Sequence, residues 1–342
     1  MPLVDTTQAV NPNLLDHAGS KWRSMIRIDT TGGDVDDVSD HIFRFMPERL
    51  IYAEGDSWFD KFTPLPHGGM NLLDSIRLPF VSAVVDVSHI GDEVRSMVQG
   101  HQARQTRAMF KLFDFHAILL SAGGNDLKNV FAELFAAKAA NDRGFTSDWQ
   151  PQDLDKLANP RSYTQFFEEV IHNIGRFVDL RNSSENDTTR KAPIFVHGYD
   201  YFQPRDAGAT VFAGSRIGTG PWLYPSMHDA GLTPAQMRSA ADAVIDELND
   251  QLKATVAKMA NVHVIDARGL LTPANPAATG SNADWMDEIH PNKQGFTKLA
   301  QNRWDVPLAR KLGWEPSAGD LVPSVQPTNF STALGPQPIQ MA

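Results

Sequence analysis

Five short apolar runs recur along the chain, and segments of helical or polar character separate them. The runs lie at 50–53, 81–87, 117–121, 194–197 and 262–265. Near-continuous apolar runs of this length are typical of strands covered on both faces, as in a parallel sheet. The pattern therefore predicts a sheet of about five strands at the centre of the molecule.

Helical patterns occupy the intervals between these runs. Thr233 and Gln236 form a capping-box pattern with Pro234 at the first helical position, and apolar residues then recur at helical spacing. Three more helices are predicted, within 167–178, from near Asp92 and after Asn292. Strands that alternate with helices predict an α/β fold, a three-layer α/β/α sandwich with a central parallel sheet in flavodoxin-like order.

The chain divides into one domain and two polar ends. Residues 1–45 are predicted to form an N-terminal arm, 46–314 the domain, and 315–342, which are rich in Pro, Ser and Gly, a C-terminal tail. Two long insertions interrupt the domain, near 139–160 and 198–232. Connections of this length inside a compact domain are usually functional.

Composition excludes several classes of protein. The net charge of −10 over 342 residues argues against a nucleic-acid partner, since such proteins gather Lys and Arg on one face. The absence of cysteine excludes disulfides, zinc–thiolate sites and cysteine nucleophiles. The sequence shows neither a signal-peptide pattern nor an apolar stretch of roughly 18 residues, so we expect no transmembrane segment. A cytoplasmic location is the default, and signal-independent export stays open.

Three polar segments could carry chemistry. Ser57 follows Gly55 at the end of the first predicted strand, where a tight turn would expose its hydroxyl. Asn125 follows the third strand and could donate to an oxyanion. Asp287 precedes His290 by three residues and could fix the imidazole tautomer. Each segment alone also fits an ordinary turn or helix cap, but together they supply a nucleophile, an oxyanion donor and an oriented base.

These segments resemble the sequence blocks of the SGNH (GDSL-like) hydrolase family. Residues 55–58 resemble its Gly-Asp-Ser-Leu block, with Trp58 where leucine is usual. Residues 123–126 match its Gly-x-Asn-Asp block, and 287–290 match its Asp-x-x-His block. Gly91 is the natural match for the remaining glycine block, which is the least specific of the four. The blocks occur in family order.

The resemblance implies the SGNH hydrolase fold and hydrolysis of carboxylic esters through an acyl-enzyme, with no metal and no organic cofactor. The substrate would be an acyl ester, a lipid ester or an acetylated carbohydrate. Ser57 would be the nucleophile, His290 the base and Asp287 the residue that orients it. The oxyanion hole would combine the backbone N–H groups of Ser57 and Gly91 with the side-chain amide of Asn125.

Aromatic and imidazole side chains near the predicted mouth are candidate substrate contacts. We assign Trp58, His197 and Tyr199 to this group. Trp222, in the second insertion, fits either a substrate pocket or plain packing.

Two other functions remain open at the level of sequence. The first is a non-catalytic carbohydrate- or lipid-binding module on a hydrolase-like core. The second is a metal-dependent hydrolase that uses His197, Asp200 and His290. The sequence does not fix the acyl and alcohol specificity or the oligomeric state.

Overall fold

Within the residues that the structure describes, the central sheet has six strands, all parallel. The computed structural model describes residues 21–30, 35–60, 71–128, 131, 135, 160–210 and 218–315. The strands in chain order are β1 Arg23–Ser24, β2 Ile26–Asp29, β3 Arg49–Gly55, β4 Arg77–Leu78, β5 Ser82–Asp86, β6 Ala117–Ser121, β7 Ile194–Gly198, β8 Ala209–Thr210, β9 Gly218–Thr219 and β10 Val262–Asp266.

The strand order of the sheet is β2-β5-β3-β6-β7-β10. Each of the five predicted apolar runs is a strand, and these five lie in the order 2-1-3-4-5, which is the flavodoxin-like order that the sequence predicts. Two further pairs, β1 with β4 and β8 with β9, form small antiparallel ladders outside the main sheet.

Strand β2 is the sixth strand and was not predicted. It pairs with β5 and lies within residues 1–45, so this part of the predicted arm belongs to the sheet. Its apolar residues Ile26 and Ile28 alternate with Arg27 and Asp29, which is typical of an edge strand and gives no continuous apolar run. Residues 1–20 and 31–34 of the predicted arm lie outside the described residues.

Helices cover both faces of the sheet, as a three-layer sandwich requires. They are α1 Val35–Phe45, α2 Leu72–Ser75, α3 Val94–Met97, α4 Gly100–Leu112, α5 Pro160–Asn182, α6 Asp187–Lys191, α7 Tyr224–Asp229, α8 Pro234–Val256, α9 Lys293–Leu299 and α10 Asp305–Lys311, with a π-helical turn Ala300–Trp304 between the last two. Helices α3, α4, α5 and α8 pack together in one layer, and α2 and α9 pack with the π-helical turn and α10 in the other.

Helix α8 begins at the capping box that the sequence predicts. The Gln236 backbone N–H donates to Thr233 Oγ1 at 3.3 Å, and the Thr233 backbone N–H donates to Gln236 Oε1 at 2.9 Å. Three other predicted parts fall wholly or partly outside the described residues: the insertion at 139–159, residues 211–217 of the second insertion and the tail from 316. Across the described part of the chain, no helix is long and apolar enough to cross a membrane.

Strands β3 and β6 lie side by side at the point where the chain changes direction across the sheet. From β3 the chain passes to β5 on one side and then returns to β6 on the other. In open α/β sheets, ligands bind beyond the carboxyl ends of the strands at such a switch point. Ser57 follows β3 and Asn125 follows β6, so both lie at this crevice.

Candidate active site

A close approach of two strands shapes the turn that carries Ser57. A Cβ atom on Gly55 would lie 2.8 Å from the Cβ of Ser121 and 2.8 Å from its carbonyl oxygen, which is closer than real side chains approach. The backbone N–H of Asp56 then donates to the Ser121 carbonyl at 3.1 Å. Glycine is therefore required where β3 leaves the sheet, and Ser57 follows at the sheet edge.

The buried carboxylate of Asp56 joins this turn to two other strand ends. Its Oδ1 accepts hydrogen bonds from the Trp58 backbone N–H at 3.0 Å and from Ser121 Oγ at 2.8 Å. Its Oδ2 accepts from the Tyr199 hydroxyl, whose oxygen in turn accepts from the Gly124 N–H at 3.0 Å. Burial raises the pKa of Asp56 to about 6, although these hydrogen bonds oppose the rise. Asp56 therefore stabilises the turn.

Three predicted residues meet in one hydrogen-bonded line. Ser57 Oγ lies 2.7 Å from His290 Nε2, although the two residues are 233 positions apart in the chain. His290 Nδ1 lies 2.9 Å from both carboxylate oxygens of Asp287. Because an ionised carboxylate only accepts hydrogen bonds, Nδ1 carries the proton and Nε2 can accept the proton of Ser57.

The local turn before His290 holds this arrangement. Asp287 is fully buried, and its Oδ1 also accepts from the backbone N–H groups of Ile289 at 3.0 Å and His290 at 2.8 Å. The carboxylate thus binds both the backbone and the ring of the same histidine. This geometry is the one that orients a general base.

The turn at Gly91 lies beside Ser57 and Asn125. The backbone N–H of His89 donates to the Gly55 carbonyl at 3.0 Å, and Asn125 Nδ2 donates to the Asp92 carbonyl at 3.1 Å. Gly91 has φ +92°, in the region that favours glycine, and is exposed. An amide group carries two hydrogens, so Asn125 has a second donor for a ligand. The roles of Ser57 N–H, Gly91 N–H and Asn125 in an oxyanion hole stay a prediction.

The three side chains predicted to contact substrate are buried and pack against one another. Trp58 is 2% exposed, and His197 and Tyr199 are fully buried. The ring centroid of Trp58 lies 4.7 Å from that of His197 and 5.2 Å from that of Tyr199. They form part of the core and offer almost no open surface in this structure, and their contact role stays a prediction. Burial lowers the pKa of His197 to about 3, which leaves the ring neutral.

The residues of the metal-dependent alternative do not assemble into a site. Both oxygens of Asp200 accept backbone N–H groups, from Gly269 at 2.7 Å and Leu271 at 2.7 Å among others. His197 lies in the aromatic core, with its ring 5.9 Å from that of Trp304. Within the described ranges, no three His, Cys, Asp or Glu residues form a group that could hold a metal ion.

Two residues near His290 were not assigned a role from the sequence. Glu288, inside the Asp-x-x-His segment, is fully buried and accepts hydrogen bonds from the backbone of the second insertion. The ring of Trp222, in that insertion, lies 5.6 Å from the His290 ring. The sequence leaves Trp222 open between a substrate pocket and plain packing. It shows Glu288 as a carboxylate between Asp287 and an isoleucine, which also fits an exposed turn.

Comparison with known proteins identifies similar structures but no similar sequence. No family model and no curated protein matches the chain. A lipase from a goat rumen metagenome is 14% identical, with 78% of this chain and 98% of that one covered and a TM-score of 0.42. A carbohydrate acetylesterase family member from Sinorhizobium meliloti is 12% identical, with 78% and 100% covered and a TM-score of 0.43. The native aryl esterase of M. smegmatis is 13% identical, with 77% and 98% covered and a TM-score of 0.39.

At these identities and TM-scores, the solved structures assign no activity to this chain. Any proposal about activity therefore depends on the sequence and the site geometry of this chain. The chain resembles the SGNH hydrolases in three respects. These are the order of its four sequence blocks, its three-layer α/β/α fold and the hydrogen-bonded line of Ser57, His290 and Asp287.

Proposed function

We propose that this protein is a serine hydrolase that cleaves carboxylic esters through an acyl-enzyme. The observation that carries the proposal is the line from Ser57 Oγ to His290 Nε2, at 2.7 Å, and from His290 Nδ1 to both oxygens of buried Asp287, at 2.9 Å. Ordinary turns and helix caps give no reason for a hydroxyl to align with an imidazole–carboxylate pair from a segment 233 positions away. The arrangement is that of an activated nucleophile.

Each residue then has a defined part in the reaction. His290 takes the proton of Ser57 as its oxygen attacks the acyl carbon, and Asp287 stabilises the imidazolium that forms. The negative oxygen of the tetrahedral intermediate accepts hydrogen bonds from the backbone of Ser57 and Gly91 and from the Asn125 amide. His290 next protonates the leaving alcohol. Water, activated by the same imidazole, releases the acid and restores the Ser57 hydroxyl.

Covalent labelling tests this function against both alternatives. We expect a fluorophosphonate to add one phosphonyl group to the wild-type protein, seen by intact mass, and to leave Ser57→Ala unlabelled. Ser183→Ala is the matched control, because Ser183 is exposed directly after helix α5 and its hydroxyl donates to the Leu180 carbonyl, away from the proposed site. EDTA should change neither the labelling nor nitrophenyl ester hydrolysis.

The other outcomes would contradict the proposal in different ways. A folded wild-type protein that is neither labelled nor active on a chain-length series of nitrophenyl esters would favour the non-catalytic binding module. Hydrolysis that disappears in EDTA and returns with divalent metal would favour a metal-dependent reaction. The nitrophenyl ester series also shows whether the protein prefers short or lipid-like acyl groups. Hydrolysis of acetylated sugars tests whether it accepts carbohydrate substrates.

Asn125→Ala should lower kcat for nitrophenyl acetate by about 10²- to 10³-fold, because it removes one oxyanion donor. The effect should fall on kcat more than on KM, since the oxyanion forms only in the transition state. Steady-state kinetics and the thermal unfolding midpoint should be measured together, because Asn125 Nδ2 also donates to the Asp92 carbonyl. A loss below tenfold, or one that follows a large loss of stability, would contradict the oxyanion role.

A further inference from the structure

The carboxylate of Glu288 holds a segment of the second insertion against the segment of the predicted base. Its Oε1 accepts hydrogen bonds from the backbone N–H groups of Arg205 at 3.3 Å and Tyr224 at 2.7 Å. Its Oε2 accepts from the N–H groups of Leu223 at 3.0 Å and Trp222. Burial raises the pKa of Glu288 to about 7, and the four N–H donors oppose this rise. A buried carboxylate is tolerated because these donors replace water.

The Trp222 side chain is held in place by contact with the backbone of Gly220. A Cβ atom on Gly220 would lie 2.9 Å from Cδ2 and Cε3 of the indole, so the ring packs directly on the backbone of Gly220. Leu223, the next residue, is fully buried and anchors the segment in the hydrophobic core. Trp222 itself is only partly buried.

The indole therefore lies in a fixed position beside His290. The two ring centroids are 5.6 Å apart and the planes are inclined by 78°. Of the aromatic side chains near the triad in the described residues, Trp58 and Tyr199 are buried, whereas Trp222 retains exposed surface. Trp222 can thus contact a bound molecule that reaches His290.

The chemistry of the proposed reaction indicates which part of an ester would contact this surface. His290 gives its proton to the oxygen of the departing alcohol, so the alcohol must lie on the His290 side of the acyl carbon. A planar apolar wall on that side binds aromatic rings through stacked or edge contacts and bulky alkyl groups through buried area.

We propose that Trp222, held in place by Glu288, forms the wall of an alcohol subsite and selects esters of aromatic or bulky apolar alcohols. This inference rests on the proposed ester hydrolysis and deepens it. Trp222 is the residue that touches the substrate, and Glu288 is a positioning residue that acts through it.

The test compares 2-naphthylmethyl acetate with ethyl acetate, two alkyl acetates that share the acyl group and differ in the alcohol. The readout is the ratio of their kcat/KM values, which cancels any general loss of activity. We expect Trp222→Ala to lower this ratio by about tenfold to fiftyfold, mainly through KM, because it removes the aromatic contact area. Trp222→Phe should restore part of it. Phe43→Ala, at an exposed aromatic residue of α1, is the matched control and should leave the ratio within twofold.

Glu288→Gln tests the positioning role. The side-chain amide has nearly the same shape, but its NH₂ group cannot accept the two N–H donors that one oxygen of Glu288 binds. We expect Glu288→Gln to lower the kcat/KM ratio of the two esters as Trp222→Ala does. The double variant Trp222→Ala/Glu288→Gln should have a ratio no lower than that of Trp222→Ala alone. Gly220→Ala, which places a Cβ against the indole, should lower the same ratio and serves if Glu288→Gln does not fold.

The possible failures are distinguishable. If the wild-type protein hydrolyses ethyl acetate and is labelled at Ser57, but the ratio is the same in Trp222→Ala, only the alcohol subsite is wrong. If Trp222→Ala lowers the ratio while Glu288→Gln slows both esters equally, Glu288 acts on His290 and its positioning of Trp222 is wrong. If the wild-type protein shows neither labelling nor hydrolysis, the proposed function itself fails.

Discussion

Ser57→Ala should lower kcat for ester hydrolysis by about 10⁴- to 10⁶-fold, because the acyl-enzyme can no longer form. His290→Ala should cost about as much, since the serine hydroxyl is a weak nucleophile without a base. The double variant should be no slower than the slower single variant, because the two side chains act as one unit across the 2.7 Å hydrogen bond. Nitrophenyl acetate kinetics on the four proteins measure all three effects.

The residual rate is part of this prediction. The oxyanion donors and the binding surface survive in Ser57→Ala, so hydrolysis should still exceed the uncatalysed rate by roughly 10³-fold. Each variant should be purified on new resin, because a trace of wild-type enzyme would mimic this residual rate. Losses that multiply in the double variant would contradict the mechanism, as would a Ser57→Ala protein with more than about 1% of wild-type activity.

The fold was largely predictable because the sheet is covered on both sides. Strands β3, β5, β6 and β7 are buried along nearly their whole length, so each contains a run of three or four consecutive apolar residues that is distinct from the helical segments. Edge strand β2 has no continuous apolar run that would predict a strand, because Arg27 and Asp29 interrupt its apolar residues. Its place in the sheet depends on pairing with β5, 57 residues later, which no local pattern reveals.

The proposed triad was predictable for a different reason. Gly55 and Ser57 end a strand, and Asp287 and His290 share a short turn, so the chemical pairing is visible within a few residues of sequence. Fold class then places both segments at one edge of a parallel sheet. The structure brings Ser57 and His290 together as this reasoning requires.

The surroundings of the site could not be predicted, because they depend on distant side chains. His197 is the penultimate residue of strand β7, but its ring packs on Trp304, which lies in the helical layer more than 100 positions later in the chain. The side chain of a residue near a strand end can face a cleft or pack against the helices that cover the sheet. Which of the two occurs depends on side chains of those helices, which are distant in sequence. The bonds from Glu288 to residues 222–224 likewise join segments more than 60 positions apart.

Asp287→Asn should lower kcat by about 10⁴-fold at neutral pH, although it changes a single atom type. The carboxylate accepts from His290 Nδ1 at 2.9 Å and so leaves Nε2 free to take the Ser57 proton. An asparagine amide can donate to Nδ1 instead, which stabilises the opposite tautomer with a proton on Nε2. The imidazole would then have no acceptor facing Ser57.

Asp284→Asn is the matched control for this variant. Asp284 is buried three residues earlier, and its Oδ2 accepts from the Thr272 N–H and Lys298 Nζ, on a side of the loop that has no role in the proposed mechanism. We expect Asp284→Asn to lose stability but to keep kcat within about threefold, as a substitution outside the reacting groups should. Measuring kcat and the thermal unfolding midpoint of both variants separates a catalytic role of the Asp287 carboxylate from a structural one. If Asp287→Asn keeps more than a tenth of wild-type kcat, or loses no more than Asp284→Asn, the carboxylate serves only to fold the turn, and His290 is oriented by other contacts.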